Sequence, residues 1–397
     1  MSRSILQLLT VLAAVLFSFS ADALLLEQLS VVPSQAEQPR TAGERKFAEG
    51  RELLGQNKLR EAAAAFEESA RADPRSYLPL LGLAEVASRE RHSEDAEKYL
   101  RRAEGIAPQS AEVQTAIGQF YYGRKDYAKS EAALKKATGM EPKLIWPWLA
   151  LGELYNGSQR WPAAVDAFRN VLKIDPNHAG GHFGLGRALS HSGKLDEALA
   201  EFDTAARLAP NNPLPLLAKA QLLFAQKQYD KSLAAYDQAL DMHVDDVAVR
   251  MGRGEVLMAQ GQGDRAVVEF KLAVKAAPKA SLPLVKLGIA YQELKRWDEA
   301  EAAYRAAIKN DVQGVHAYNN LAWLLAERKI KLDEALKLAQ NATLLTPKDP
   351  ECVRYPGGGA PGARRRQRGE ESAGAGQATR ETRLRAGQQA RSTSSWQ

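Results

Sequence analysis

Residues 145–178 read IWPWLALGELYNGSQRWPAAVDAFRNVLKIDPNH. Leu151, Gly152 and Tyr155 share one helical stripe, and Ala164, Phe168 and Val171 share another. Two helices approach closely only where side chains are small, so Gly152 and Ala164 mark a crossing and Phe168 fills the gap beside it. Pro176 stops the second helix, because proline has no N–H and disfavours a helical residue before it. The passage predicts a helical hairpin with one apolar side left uncovered.

The pattern recurs outward in both directions. Pro74, Pro108, Pro142, Pro176, Pro210 and Pro278 are 34 residues apart or a multiple of it; Val244 and Val312 hold the two empty rungs, and Pro347 is one residue late. Twenty-four residues before each rung stands a small residue, from Gly50, Ala84 and Gly118 to Gly254 and Gly288. Twelve before it comes Ala62, Ala96, Ser130 and their successors, and eight before it a bulky one: Phe66, Leu100, Leu134, Phe168, Phe202, Tyr236, Phe270 and Tyr304. Eight units run without insertion from Gly43 to Gly314, and a ninth from Val315 to Lys348 or Asp349, where one extra turn residue moves Ala335, Ala339, Ala342 and Pro347 together. Polar turns such as Ser192-Gly193-Lys194 separate the helices of a unit. One hairpin cannot bury its apolar stripe alone, so each needs neighbours.

This succession resembles the tetratricopeptide repeat family, most clearly through Trp148, Leu151, Gly152, Tyr155, Ala164, Phe168 and Pro176. The resemblance covers roughly three quarters of the chain and implies an all-α fold: a right-handed α-solenoid superhelix of about nine hairpins over residues 43–349. Units six and seven depart from the pattern, with Lys219 where leucine is expected, Val244 for proline, and Arg250 and Arg253 on a first helix.

In the family the first helix of each hairpin lines the inner, concave face. Carried over, three slots face inward. The slot three residues before the small crossing residue includes Leu149, Phe183, Leu217 and Met251; the slot after it Glu153, Arg187, Gln221 and Glu255; the slot four after it Tyr122, Asn156, Phe224 and Met258. With Trp146 as an aromatic anchor, these describe an apolar floor flanked by mixed charges, suited to an extended segment or the apolar face of a helix. The alternative is that several of them pack between adjacent hairpins. The first slot holds no lysine, so the carboxylate clamp of chaperone-binding members is not supported.

Little else in the chain carries chemistry. There is no phosphate-loop, nucleophile-elbow or zinc-protease motif, and no cofactor is expected. The glycines from Gly180 to Gly186 have no strand–turn–helix context. His178 and His182 have metal-like spacing, with His191 one turn on, but a unit boundary separates the first two. Carboxylate pairs such as Glu67-Glu68 read as a solvated face. The resemblance implies a scaffold rather than an enzyme.

The ends differ from the array. Arg3, an apolar run from Ile5 to Phe19 and Ala21-Asp22-Ala23 read as a signal peptide over residues 1–23, or as an inner-membrane anchor if uncleaved. Residues 24–42 read as a linker. The only cysteine is Cys352, so neither an internal disulfide nor lipid attachment at the cleavage site is available. From residue 350 to 397 the chain turns Arg- and Gly-rich, a composition that fits a frameshifted or truncated end, a disordered linker or a basic tail. That tail accounts for most of the charge: from residue 351 it holds nine arginines and four glutamates out of a net +6, and Arg3 cancels Asp22, so residues 24–350 carry only +1. The array therefore gives no electrostatic reason to bind nucleic acid.

These readings predict a periplasmic or secreted bacterial scaffold, or one anchored in the inner membrane and facing the periplasm, that binds protein or peptide segments of envelope partners. A signal segment before a long array also resembles the tetratricopeptide proteins of exopolysaccharide export and exosortase (PEP-CTERM) systems, whose lipid-anchored members carry a cysteine this chain lacks. The alternative is the binding part of an enzyme whose catalytic domain lies downstream.

Overall fold

The computed structural model describes residues 41–242 and 247–345, and all the regular elements among them are α-helices. The chain divides after Ala276 into two compact units. The first holds seven hairpins: α1 (Ala42–Gly55) with α2 (Leu59–Ala72), α3 (Leu78–Arg89) with α4 (Ser93–Ile106), α5 (Ala111–Gly123) with α6 (Tyr127–Met140), α7 (Ile145–Gly157) with α8 (Trp161–Ile174), α9 (Ala179–His191) with α10 (Leu195–Leu208), α11 (Leu214–Ala225) with α12 (Tyr229–Asp241), and α13 (Val247–Ala259) with α14 (Gly263–Ala276). The second holds two: α15 (Ser281–Glu293) with α16 (Trp297–Asn310), and α17 (Val315–Glu327) with α18 (Leu332–Leu345). Within each unit every helix packs on the next in sequence, and each first helix also touches the first helix of the next hairpin. The two units thus hold, seven and two, the nine all-α hairpins that the 34-residue period implies. The signal segment, the linker before residue 41, the last residues of repeat nine and the tail from residue 350 lie outside the described residues.

Both kinds of turn repeat. Each first helix ends in a residue with positive φ, at 57, 91, 125, 159, 193, 227, 261, 295 and 329, and only Gly193 and Gly261 are glycines. The next amide reaches back five residues, as Arg160 N–H does to the Tyr155 carbonyl at 2.8 Å, which satisfies a carbonyl the helix leaves open. Between hairpins, Asp73, Asp175 and Asp311 accept from the amide two residues on through their side chains. At Val312, where no proline stands, Asp311 keeps the same turn bond that Asp73 and Asp175 make beside Pro74 and Pro176.

The bulky residue of each second helix is a wedge. Phe66, Phe168, Phe202, Tyr236, Phe270 and Tyr304 are buried. A Cβ built on Gly50 of α1 or Gly82 of α3 would lie 2.7 Å from the Phe66 ring, so this one ring fills space between two successive first helices. Glycines 152 and 184 sit against Phe168 in the same way. Aromatic wedges Phe66, Phe168 and Tyr236 thus meet Gly82, Gly184 and Gly252 in the next hairpin, while leucine wedges Leu100 and Leu134 are followed by Ala116 and Ala150. Phe202, followed by Ala218, is the exception within the first unit.

The departures in repeats six and seven also resolve. Lys219 of α11 pairs with Asp203 of α10 at 2.5 Å, and Arg253 of α13 pairs with Asp237 of α12 at 2.8 Å. Both occupy the slot where Leu151 and Leu185 are buried. The residue sixteen positions earlier is an aspartate only before these two; before Ile117, Leu151 and Leu185 it is Arg101, Lys135 or Arg169. Arg250 and Arg253 further share Glu269 of α14.

Candidate functional site: the first-helix strip

The predicted inward slots lie on α5, α7, α9, α11 and α13, all within the first unit. At its centre Arg187 of α9 donates from Nη1 to Oε2 of Glu153 of α7 at 3.1 Å, with both side chains largely covered. The guanidinium lies 5.9 Å from the centre of the Phe183 ring. Tyr122 of α5 belongs to the same cluster: burial and then the negative charge of Glu153 push its phenol up to about 12, with Arg187 opposing. Tyr122, Glu153, Phe183 and Arg187 are therefore brought together across three hairpins. The ion pair is internally neutral, so the middle of the strip presents aromatic surface more than net charge.

Gln221, Phe224, Met251, Glu255 and Met258 are half-buried and continue the strip along α11 and α13. Three of the residues expected to face inward are buried instead. Leu149 is 2 % and Leu217 5 % exposed and both pack inside the stack, whereas Phe183 and Met251 in the same slot stay half-buried. Asn156 is buried as well, donating to the Gly184 carbonyl at 3.4 Å. Trp146 is half-buried but stands seven residues, roughly 10 Å along the helix, from Glu153, with its ring edge-on to His178 at 6.2 Å.

Sequence reasoning confined to first helices missed an aromatic edge. Tyr127, Trp161 and Tyr229 open α6, α8 and α12. Tyr127 tilts against Tyr122 at 5.9 Å, Tyr229 against Phe224 at 5.9 Å, and Trp161 stacks on His191 of the next hairpin at 4.1 Å and 8°. Burial, and then the charge of Arg187, lower the His191 pKa, which ties this stack to the central cluster. The signal was available: Tyr127, Trp161, Leu195 and Tyr229 are 34 residues apart.

The histidines are engaged separately. His178 accepts from the Gly181 amide at 2.9 Å, His182 lies between Glu201 at 2.6 Å and the Pro176 carbonyl at 2.9 Å, and His191 stacks on Trp161. Among the described residues no group of three or more His, Cys, Asp or Glu side chains is placed to hold a metal ion, and no helix is long and apolar enough to cross a membrane.

Comparison with known proteins bears on the repeat family and the fold. Tetratricopeptide repeat models match residues 53–120, 111–144, 149–213, 217–281 and 285–350. No curated protein matches the chain. Among solved structures, yeast Tom70 is similar with a TM-score of 0.54 at 16 % identity, over 79 % of this chain and 72 % of that one. A tetratricopeptide repeat protein from Parabacteroides merdae gives 0.48 at 17 % identity over 62 % of this chain and 97 % of its own, and pilF of Pseudomonas aeruginosa gives 0.46 at 19 % over 54 % and 97 %. At 16 % identity the likeness to Tom70 concerns the fold alone.

Proposed function

The chain belongs to the tetratricopeptide repeat family, and from that premise we propose that it is a non-enzymatic scaffold whose first-helix strip holds a segment of a partner protein. The observation that carries this reading is the cluster of Tyr122, Glu153, Phe183 and Arg187, which spans three hairpins and combines aromatic surface with a self-neutralised ion pair. No single hairpin could build it, and its composition suits contact with a peptide. The N-terminal run of residues 1–23 supports a place for the protein in the bacterial cell envelope, with partners there.

A photo-crosslinking residue at Met258 or Phe224 of the full chain should capture a discrete partner in cells of the source bacterium. The same residue at Asp166, exposed on α8, should not. Crosslinks that form from Asp166 and never from the strip would overturn the placement. Fractionation tests the location: recovery only with cytoplasmic markers rejects the envelope reading.

A further inference from the structure

Hairpin nine, in the second unit, departs from the others on one side. Ala339 of α18 stands in the wedge slot, where the eight preceding second helices carry Phe, Leu or Tyr. Three residues earlier Leu336 is 60 % exposed, whereas the same slot is buried or half-buried in all eight preceding second helices. Trp323 of α17 is 47 % exposed, whereas the slot after the crossing residue is buried or half-buried in all eight preceding first helices. Leu332, which opens α18, is exposed as well.

Elsewhere these slots are covered by the next hairpin. Glu131, in the slot of Leu336, accepts from Tyr155 at 3.0 Å and pairs with Arg160 at 2.5 Å. Glu301, in the same slot of the second unit, pairs with Lys331 at 2.6 Å. Glu153, in the slot of Trp323, pairs with Arg187 of the following hairpin. Trp323, Leu332 and Leu336 therefore lie on the side of hairpin nine that a following first helix would cover, and the apolar surface there is shaped for a helix.

We propose that this side is covered by the same side of a second copy of the chain, with two α18 helices lying antiparallel across a two-fold axis. The residues that follow α18 do not fit the role. Apart from proline, residues 346–397 hold only Val353 and Leu384 as aliphatic side chains larger than alanine, so they supply no apolar helical stripe. Nor does α1 of another copy. First helices bury the residues five before and two after the crossing residue, as Pro147 and Leu154 of α7 and Pro283 and Ala290 of α15 show; α1 has exposed Arg45 and Glu52 there. Seating α1 on α18 would bury both charges, which disfavours a head-to-tail chain of copies.

The face does fit itself. A wedge ring needs a small residue opposite it, as Phe66 has Gly82 and Phe168 has Gly184. Ala339 makes no such demand, so α18 can lie against an identical helix with Leu332 and Leu336 flanking the contact. The exposed charges nearby in sequence are Glu327, Lys329, Asp333 and Lys337, two of each sign, so the face brings no net charge to its copy.

Sedimentation equilibrium of the full chain tests the proposal. The chain should show a reversible monomer–dimer equilibrium. Leu336→Asp and Trp323→Ser, both at exposed positions, should each weaken the dimer about tenfold or more with an unchanged circular dichroism spectrum. Ala48→Asp, on the exposed side of α1, should leave it unchanged. Every variant keeps residues 1–40, so association through that segment would be common to all. In a Cys352→Ser background, Ala339→Cys should form a disulfide-linked dimer under mild oxidation, because a residue near a two-fold axis meets its own copy. A chain that stays monomeric across the concentration range overturns the proposal, as does a dimer indifferent to both Leu336→Asp and Trp323→Ser. A dimer that only Ala48→Asp breaks overturns it in favour of head-to-tail contact. A dimer in which Ala339→Cys forms no crosslink overturns the antiparallel α18 arrangement.

Discussion

Gly82→Ala tests the packing that holds successive first helices in place. The added Cβ would lie 2.7 Å from Cε1, Cε2 and Cζ of Phe66, a ring with no exposed surface. Alanine is favoured over glycine inside a helix by about 1 kcal/mol. Overpacking a rigid core costs about 1–3 kcal/mol, and three carbons of a boxed-in ring place this case toward the upper end. The net expectation is a loss of about 1–2 kcal/mol. Phe66→Leu alone should lose a similar amount, about 1–2 kcal/mol, through the space it leaves. Together the two recreate the leucine-with-alanine arrangement of Leu134 and Ala150. The double variant should then lie within about 1 kcal/mol of the parent, a favourable coupling of about 2 kcal/mol and inside the range of contacting residues. Urea unfolding of the full chain, followed by circular dichroism, measures all four corners of the cycle. A Gly82→Ala variant as stable as the parent, or a double variant equal to the sum of the singles, would refute the wedge argument.

Three further outcomes follow from the same geometry. Glu131 is held at about 2, chiefly by its hydrogen bond from Arg160 and further by Lys135 and Tyr155 against the effect of burial; its folded pKa lies below its unfolded one, so it stabilises the fold above the ordinary carboxylate value and that stability is lost as pH falls from about 4.5 toward 2. Glu131→Gln should flatten the pH dependence of the melting temperature in that window, and an unchanged slope counts against the pair. Asp203→Lys sets a second cation beside Lys219 and should cost about 1 kcal/mol, whereas adding Lys219→Leu copies the Lys135 and Leu151 arrangement and should restore stability in the same urea assay; no recovery would reject the charge matching. Lys227 has φ 60, a conformation that costs an L-residue about 1–2 kcal/mol, so Lys227→Gly should raise stability by about 0.5–1 kcal/mol after the extra freedom of glycine in the unfolded chain. A lower melting temperature would mean that the side chain makes a contact worth more than the backbone strain.

Much of the fold was open to reading because the repeat averages out local ambiguity. A lone Ala-rich stretch with a glycine is a weak helix signal, but the same slots filled eight times at one spacing leave few other architectures. The turns were less legible. A residue of positive φ is usually signalled by glycine, and here Lys125, Gln159, Lys227 and others adopt it because the reach-back hydrogen bond and the packed helices on either side impose it. At the candidate site the slots led to Tyr122, Glu153, Phe183 and Arg187, which do converge. They also led to Leu149 and Leu217, because a slot on a helical wheel does not say how far the neighbouring hairpin overlaps it. Tyr127, Trp161 and Tyr229 were passed over because they belong to second helices, and only packing brings them to the edge of the strip.

What the amino-acid order determined alone is the unit: where most second helices stop, which stripe is small enough for close crossing, and that nine such units succeed one another. These follow from periodicity and from the chain chemistry of proline, glycine and aspartate, all local in range. What tertiary structure decided is which residues of different units meet. Glu153 and Arg187 are 34 positions apart and become an ion pair only because two first helices lie side by side. Phe66 lies sixteen positions before Gly82, and the partnership of ring and glycine appears only once the stack brings α2 against α3. Local patterns specify an element, but burial and pairing are properties of the neighbours that stacking supplies.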